Sequence, residues 1–273
     1  MSSPVTILSV QGLKCVTLIE KIPFNYFNRE GHFLTWRLVS MMFDPWHLIT
    51  SRAQNYCDLG TILVENYAFS RSGMCHISPN LHSLMKPSLK PIVQWGIFGV
   101  GNSSHTHVID VMDQHKSIVL ARRHVQFVNV SRETRLPTRL PEWFIEKYRP
   151  KLQGKAPELM QHITLKPEQR FVFEIEIQKE DIDHYGHTNN SIYGKYMEEC
   201  ACLAINSGFY SSIKGNIHNY IITKMGNLFI HEAKLGDLLT IESWEEDCSG
   251  ILNFIMHKQG KDIFHGKLHC ESL

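Results

Sequence analysis

The 273-residue chain is 43% hydrophobic and carries a net charge of +1. This is enough apolar content for a packed core, and the near-zero charge gives no electrostatic reason to bind nucleic acid or an anionic membrane. No apolar run reaches the roughly 18 residues of a membrane helix, so no membrane span is expected.

Seven cysteines without a C-x-x-C pair fit a reducing compartment rather than a disulfide or zinc framework. The first twenty residues hold Lys14 as the one base and Glu20 as the one acid. Neither an Arg-rich transit peptide nor a signal peptide is expected from them. The expectation is a cytoplasmic protein, with a mitochondrial one as the alternative.

Up to about Val130 the texture is mixed. A helical run is predicted over Leu34 to Phe43, with β-rich sequence after it. "GIFGVG" (Gly96–Gly101) has the glycine content of a phosphate cradle, but such a loop opens a helix. The next residues, "NSSHTHVIDV", alternate like a strand, so the glycines are placed in or beside a strand. Thr106–Val130 reads as two β-rich runs with a turn at Asp113–Lys116. His105 and His107 share one strand face, but no third ligand is evident and no metal is expected.

Ser131–Leu159 changes character, with Pro137, Pro141, Pro150 and Pro157 among many charges. It reads as a connector holding at most a short helix near Trp143–Tyr148. Its basic residues Arg132, Arg135, Arg139, Lys147, Arg149 and Lys151 suit a carrier protein or the phosphates of coenzyme A. They equally suit a solvated linker.

Order returns at Phe171. In "FVFEIEIQ", Phe171, Phe173, Ile175 and Ile177 alternate with Val172, Glu174, Glu176 and Gln178, which predicts a half-buried strand. After the polar stretch "DIDHYGHTNN" (Asp181–Asn190) the period becomes about 3.6. Ile192, Tyr196 and Leu203, with Tyr193, Met197 and Ala204, mark a helix that Asn189 or Asn190 can open and Gly208 can close.

Four strands come next, in "NYIITKM", "LLTIESWEE", "ILNFIMHK" and "IFHGKLHC". One helix among five strands can bury its apolar face only against the sheet. The expected class is therefore α+β, with a sheet curled round a central helix. The first half looks like a second copy: "NREGHFLTW" (Asn28–Trp36) lies on "DHYGHTNNS" (Asp183–Ser191), with Gly31-His32 on Gly186-His187 and Asn28 on Asp183. The division expected is residues 1–130, a linker over 131–169, and residues 170–273.

The stretch around Asp183 joins a strand to a helix N-terminus, where backbone N–H groups lack partners and the dipole is positive. Such a tip attracts a developing oxyanion. A carboxylate facing a carbonyl polarised there can activate water or attack directly. Asp183 is the candidate acid, and His187 can share the proton work or position the substrate. N–H groups near Asn189, Asn190 and Ser191 are the candidate receivers of the carbonyl oxygen. Tyr193 and Tyr196 read as helix-face packing, and Glu198 as facing either the site or solvent. Cys200 and Cys202 do not face each other on a helix, and no G-x-S-x-G elbow is present.

Asp183-x-x-Gly186-His187-x-Asn189-Asn190, followed by Tyr193, Tyr196 and Glu198, resembles the signature of hotdog-fold thioesterases. With "VSRETRLPTRLPEWFIEKY" (Val130–Tyr148), it is similar to one branch, the fatty acyl-ACP thioesterases. The resemblance implies a double hotdog: two tandem domains, each a curved antiparallel sheet round a long helix. The first would be a degenerate domain for acyl-chain binding, and the second would carry the catalytic motif. It also implies hydrolysis of acyl-ACP or acyl-CoA to free fatty acid and thiol, with no metal or organic cofactor. In that family an Asp, an Asn, a His and a later Glu form the site. Asp183 and His187 fit, Tyr185 stands where the family has Asn, and Glu232 falls where the Glu would lie. The two domains would form a pseudo-dimer within one chain, with a homodimer of chains left open. Rival readings are a hotdog enoyl-thioester hydratase or dehydratase, and a non-catalytic acyl-thioester-binding protein, which Tyr185 favours.

Overall fold

The computed structural model describes residues 4–152, 156–183 and 186–272. Tyr185, expected to touch substrate at the position where the resembled family has Asn, lies outside the described residues. Cα proximity divides the chain into two compact units, Met1–Leu34 with Ser40–Leu159, and Thr35–Val39 with Met160–Leu273.

The first unit contains strands β1 (Val5–Gln11), β2 (Lys14–Ile19), β3 (Asn66–Ile77), β4 (Ile92–Val100), β5 (Ser104–Met112) and β6 (Val119–Ser131). They pair antiparallel in the order β1-β2-β4-β5-β6-β3. The glycines of "GIFGVG" fall in and just after β4, and the turn at Asp113–Lys116 separates β5 from β6.

The helical run expected over Leu34 to Phe43 is shorter and broken. Helix α1 covers Arg37–Phe43, and after Pro45 come the short helices α2 (Trp46–Ile49) and α3 (Leu59–Ile62). Proline has no N–H to continue the ladder, so α1 ends before it. The single turn α4 (Leu81–Leu84) lies between β3 and β4, and α5 (Glu142–Tyr148) is the short helix of the connector.

The connector's cations are largely engaged inside this unit. Arg132 donates to the carbonyls of Leu63 and Asn66, and Arg149 to Val100 O and Asn102 Oδ1. Arg139 pairs with Glu142, and Lys147 with Asp58.

The second unit contains β7 (Phe171–Glu176), α6 (Ile192–Asn206), β8 (Tyr220–Phe229), β9 (Leu238–Glu246), β10 (Ile251–Lys258) and β11 (Lys261–Ser272). Its antiparallel order is β8-β11-β10-β9-β7. In β7, Phe171, Phe173 and Ile175 are half-buried while Val172, Glu174 and Glu176 are exposed, as period two requires.

Helix α6 buries Tyr193, Tyr196, Met197, Cys200, Ala201 and Ala204 along one stripe. Tyr193 stacks on Phe264 with centroids 4.9 Å apart. The Met197 sulfur occupies the place where a Cβ at Gly266 would lie. Each large apolar side chain so buried contributes about 1.5–3 kcal/mol. The helix ends in a Schellman arrangement: Gly208 at φ +74°, with Gly208 N–H donating to Ile205 O and Phe209 N–H to Ala204 O.

Both units share one connectivity. A first strand leads through a loop to helix, then to four strands. The first strand pairs with the second of those four, and the first of the four pairs with the last. Each unit is thus an α+β hotdog, and β1 is an additional edge strand of the first.

Candidate active site

After β7 the chain makes one 3-10 turn, Lys179–Asp181, closed by Gln178 N–H donating to Asp181 Oδ2 at 3.0 Å. Asp181 is buried and accepts the Tyr196 hydroxyl at 2.6 Å, with Lys195 Nζ 3.5 Å from its other oxygen. Burial, then this bond, raises the Tyr196 phenol far above its ordinary value, so it remains a donor. Tyr196 therefore does more than pack: it ties α6 to the start of the loop.

The chain then turns back on itself. Ile182 bridges Thr188, Asp183 N–H donates to His187 O at 2.8 Å, and Gly186 N–H to Asp183 O at 3.0 Å. Gly186 sits at φ +80°, which a side chain would oppose. The turn brings His187 N–H to Asp183 Oδ1 at 3.2 Å. On the other side, His187 Nε2 lies 3.4 Å from Glu232 Oε2, in the loop after β8. The three residues expected to carry chemistry thus form one linked group. The His187 side chain is 18% exposed and that of Glu232 41%.

The helix tip differs from expectation in detail. Asn189 N–H donates to Asp181 O, and Asn189 Oδ1 accepts both Ser191 N–H and the Ser191 hydroxyl at 3.0 and 2.8 Å. Asn189 and Ser191 therefore use their amides within the loop. The Asn190 N–H has no hydrogen bond among the described residues.

Glu198 faces neither the Asp183 group nor solvent. It is buried on α6 and accepts Trp36 N–H at 3.0 Å, and burial pushes its carboxyl up to about 8. Close approach of α6 to Trp36 is possible because Gly194 has no side chain: a Cβ there would lie 3.1 Å from Trp36 Cβ.

The corresponding loop of the first unit repeats this scaffold bond for bond. Phe27 bridges Phe33, Asn28 N–H donates to His32 O at 2.8 Å, and Gly31 N–H donates to Asn28 O at 3.0 Å. His32 N–H donates to Asn28 Oδ1 at 2.9 Å, and Gly31 lies at φ +83°. The counterpart of Asp183 is an amide.

Among the described residues no group of three His, Cys, Asp or Glu side chains is arranged to hold a metal. His105 and His107, expected to share a face, bond to each other at 2.8 Å. Among the described residues no helix is long and apolar enough to cross a membrane.

Sequence reasoning passed over Asp181, Thr188 and Lys258. Thr188 donates through both N–H and hydroxyl to Ala233 O, and Lys258 Nζ donates to Glu232 O and Asp237 Oδ2. The first acid of "DID" is the visible signal for Asp181. Nothing local marks the other two.

No family model and no curated protein matches the sequence. Solved structures do. The 12:0-ACP thioesterase of Umbellularia californica is similar at 11% identity and TM-score 0.71, over 97% of this chain and 100% of that one. An acyl-ACP thioesterase of Bacteroides thetaiotaomicron is similar at 15% identity and TM-score 0.70, with the same shares. A Lactobacillus plantarum protein named as an oleoyl thioesterase is similar at 12% identity and TM-score 0.71, over 95% and 96%. The chain therefore has, over nearly its whole length, the double-hotdog fold that these thioesterases share.

Proposed function

We propose that this protein is a thioesterase that hydrolyses fatty acyl thioesters to free acid and thiol. The observation that carries the reading is the linked group of Asp183, His187 and Glu232 beside a helix tip with an uncommitted amide at Asn190. Asp183 takes a proton from water, or attacks the carbonyl itself. The His187 backbone N–H holds the Asp183 carboxylate, and its ring, 3.4 Å from Glu232, orients that second acid. Glu232 helps to activate the water. The carbonyl oxygen, negative as the tetrahedral intermediate forms, is received by Asn190 N–H at the positive end of α6. The C–S bond then breaks and the leaving sulfur takes the proton drawn from water. Where Asp183 attacks directly, the thiolate leaves, takes a proton from solvent, and water then hydrolyses the acyl–Asp183 anhydride to the free acid. The first unit carries Asn28 in place of the acid and is assigned no chemistry.

The similar structures are named for an oleoyl group, a 12:0 group on ACP and an acyl group on ACP. Acyl-ACP is accordingly the first substrate to test, and acyl-CoA the second. The test is thiol release over a series of chain lengths on both carriers, repeated with Asp183→Asn. The expected result is hydrolysis by the wild type and a loss of about 100-fold or more in the variant. Undiminished hydrolysis in the variant, or tight binding without thiol release, would overturn the assignment.

A further inference from the structure

The candidate site is assembled from two loops of the second unit, one carrying Asp183 and His187, the other Glu232. Glu232 is 45 residues from His187 in the chain, and its side chain is partly exposed. Something must hold it in place. Thr188, the residue after His187, is 5% exposed; its N–H and Oγ–H both donate to one acceptor, Ala233 O, at 3.1 and 2.9 Å. Ala233 is buried and comes directly after Glu232. The tie therefore joins the residue next to one partner to the residue next to the other, with the 3.4 Å approach of His187 to Glu232 alongside it. The far side of the Glu232 loop is fixed separately. Lys258 Nζ donates to Glu232 O at 3.2 Å and to Asp237 Oδ2 at 3.0 Å, and Asp237 Oδ2 also accepts Lys234 N–H.

The first unit supplies an internal comparison. Its loop keeps the backbone bonds that close the Asp183 turn, yet the residue at the place of Thr188 is Phe33, a buried ring packed against Phe27. The turn closes without a hydroxyl at that position. The hydroxyl is present only in the unit whose loop carries the acid.

We infer that Thr188 is a positioning residue: its hydroxyl, acting through Ala233, sets Glu232 against His187 for hydrolysis. The inference rests on the thioesterase reading of this site. Thr188→Val removes the hydroxyl bond but keeps the shape and the backbone bond. Loss of register between reacting groups lowers turnover more than binding. The variant should therefore lose about tenfold in kcat with KM within about twofold, and Thr188→Ser should recover most of the loss.

The deciding measurement is a double-mutant cycle with Glu232→Gln. If Thr188 acts through Glu232, Thr188→Val causes no further loss once the carboxylate is gone. Equal fold-losses in the two backgrounds, an unchanged kcat in Thr188→Val, or a change confined to KM would overturn the inference. A wild type that releases no thiol would sink the thioesterase reading and this inference with it. An active wild type, an inactive Asp183→Asn and an additive cycle would sink the inference alone.

Discussion

Lowering the pH should destabilise the first unit through His105 and His107. Both rings are buried, at 1% and 0% exposure, among Trp46, Trp95, Phe127 and Phe144. Their nearest polar partners are each other, at 2.8 Å, and the Tyr56 hydroxyl, 3.4 Å from His107 Nδ1. Burial pushes His105 from 6.5 down to about 4, and burial together with the neighbouring ring pushes His107 well below its ordinary value. Both are neutral in the folded chain at neutral pH. The unfolded chain takes up protons near 6.5, so between that pH and about 4 it binds more protons than the folded chain. Stability is therefore complete above about 6.5 and is lost as the pH falls toward about 4.

For His105 the fall from 6.5 to about 4 corresponds to about 3 kcal/mol when complete, and to about 2 kcal/mol at a pH of about 5. Urea unfolding followed by tryptophan fluorescence reads this locally, because Trp46 and Trp95 both lie against His107. His105→Gln keeps a side-chain amide for His107 and removes the titrating group. Between pH values of about 7.5 and 5, the variant should lose about 2 kcal/mol less than the wild type. Equal losses in the two proteins would refute the reasoning.

Glu232→Gln keeps an acceptor for His187 but removes the charge that would draw a proton from water. Its kcat should fall about 100-fold with KM little altered, and a rate within about threefold of wild type would remove Glu232 from the chemistry. Tyr196→Phe deletes the buried 2.6 Å bond to Asp181; it should cost about 1.5–3 kcal/mol in urea unfolding, since the acceptor is a carboxylate out of contact with water.

The second unit was readable because its patterns are long and clean. Period two over Phe171–Gln178, period 3.6 over Ile192–Ala204 and turn residues between the last strands each mark an element that is present. The first unit was less legible for physical reasons. In β3, "NYAFSRSGMCHI" carries Arg71, Ser70 and Ser72 at a register shift between Ser70 and Ser72, so no alternation survives. Pro45 divides the helical run that the loop of Asn28 leads into. At the site, Asp183 and His187 were accessible because four residues separate them. Glu232 entered the candidate set only through family resemblance, and its approach to His187 is hidden by the sequence distance between them. The proposed role of the Asn190 amide was also hidden, because it depends on Asn189 Oδ1 accepting the Ser191 N–H and Asp181 O accepting the Asn189 N–H.

The duplicated loops separate what the scaffold requires from what the chemistry requires. Asn28 Oδ1 accepts His32 N–H at 2.9 Å and Glu30 N–H at 3.0 Å, and the backbone bonds around it match those around Asp183. A neutral amide therefore closes this turn fully, and the carboxylate of Asp183 is not needed for it. If Asp183 were only a turn residue, its charge would have no work in the fold. Asp183→Asn should then separate the two readings. It should leave the urea midpoint of the second unit within about 0.5 kcal/mol of wild type, since the amide repeats bonds already seen at Asn28. Thiol release should nevertheless fall by about 100-fold or more, because the amide cannot take a proton from water. A variant less stable by about 2 kcal/mol, with undiminished turnover per folded molecule, would make Asp183 a capping residue and leave the proposed hydrolase without its acid.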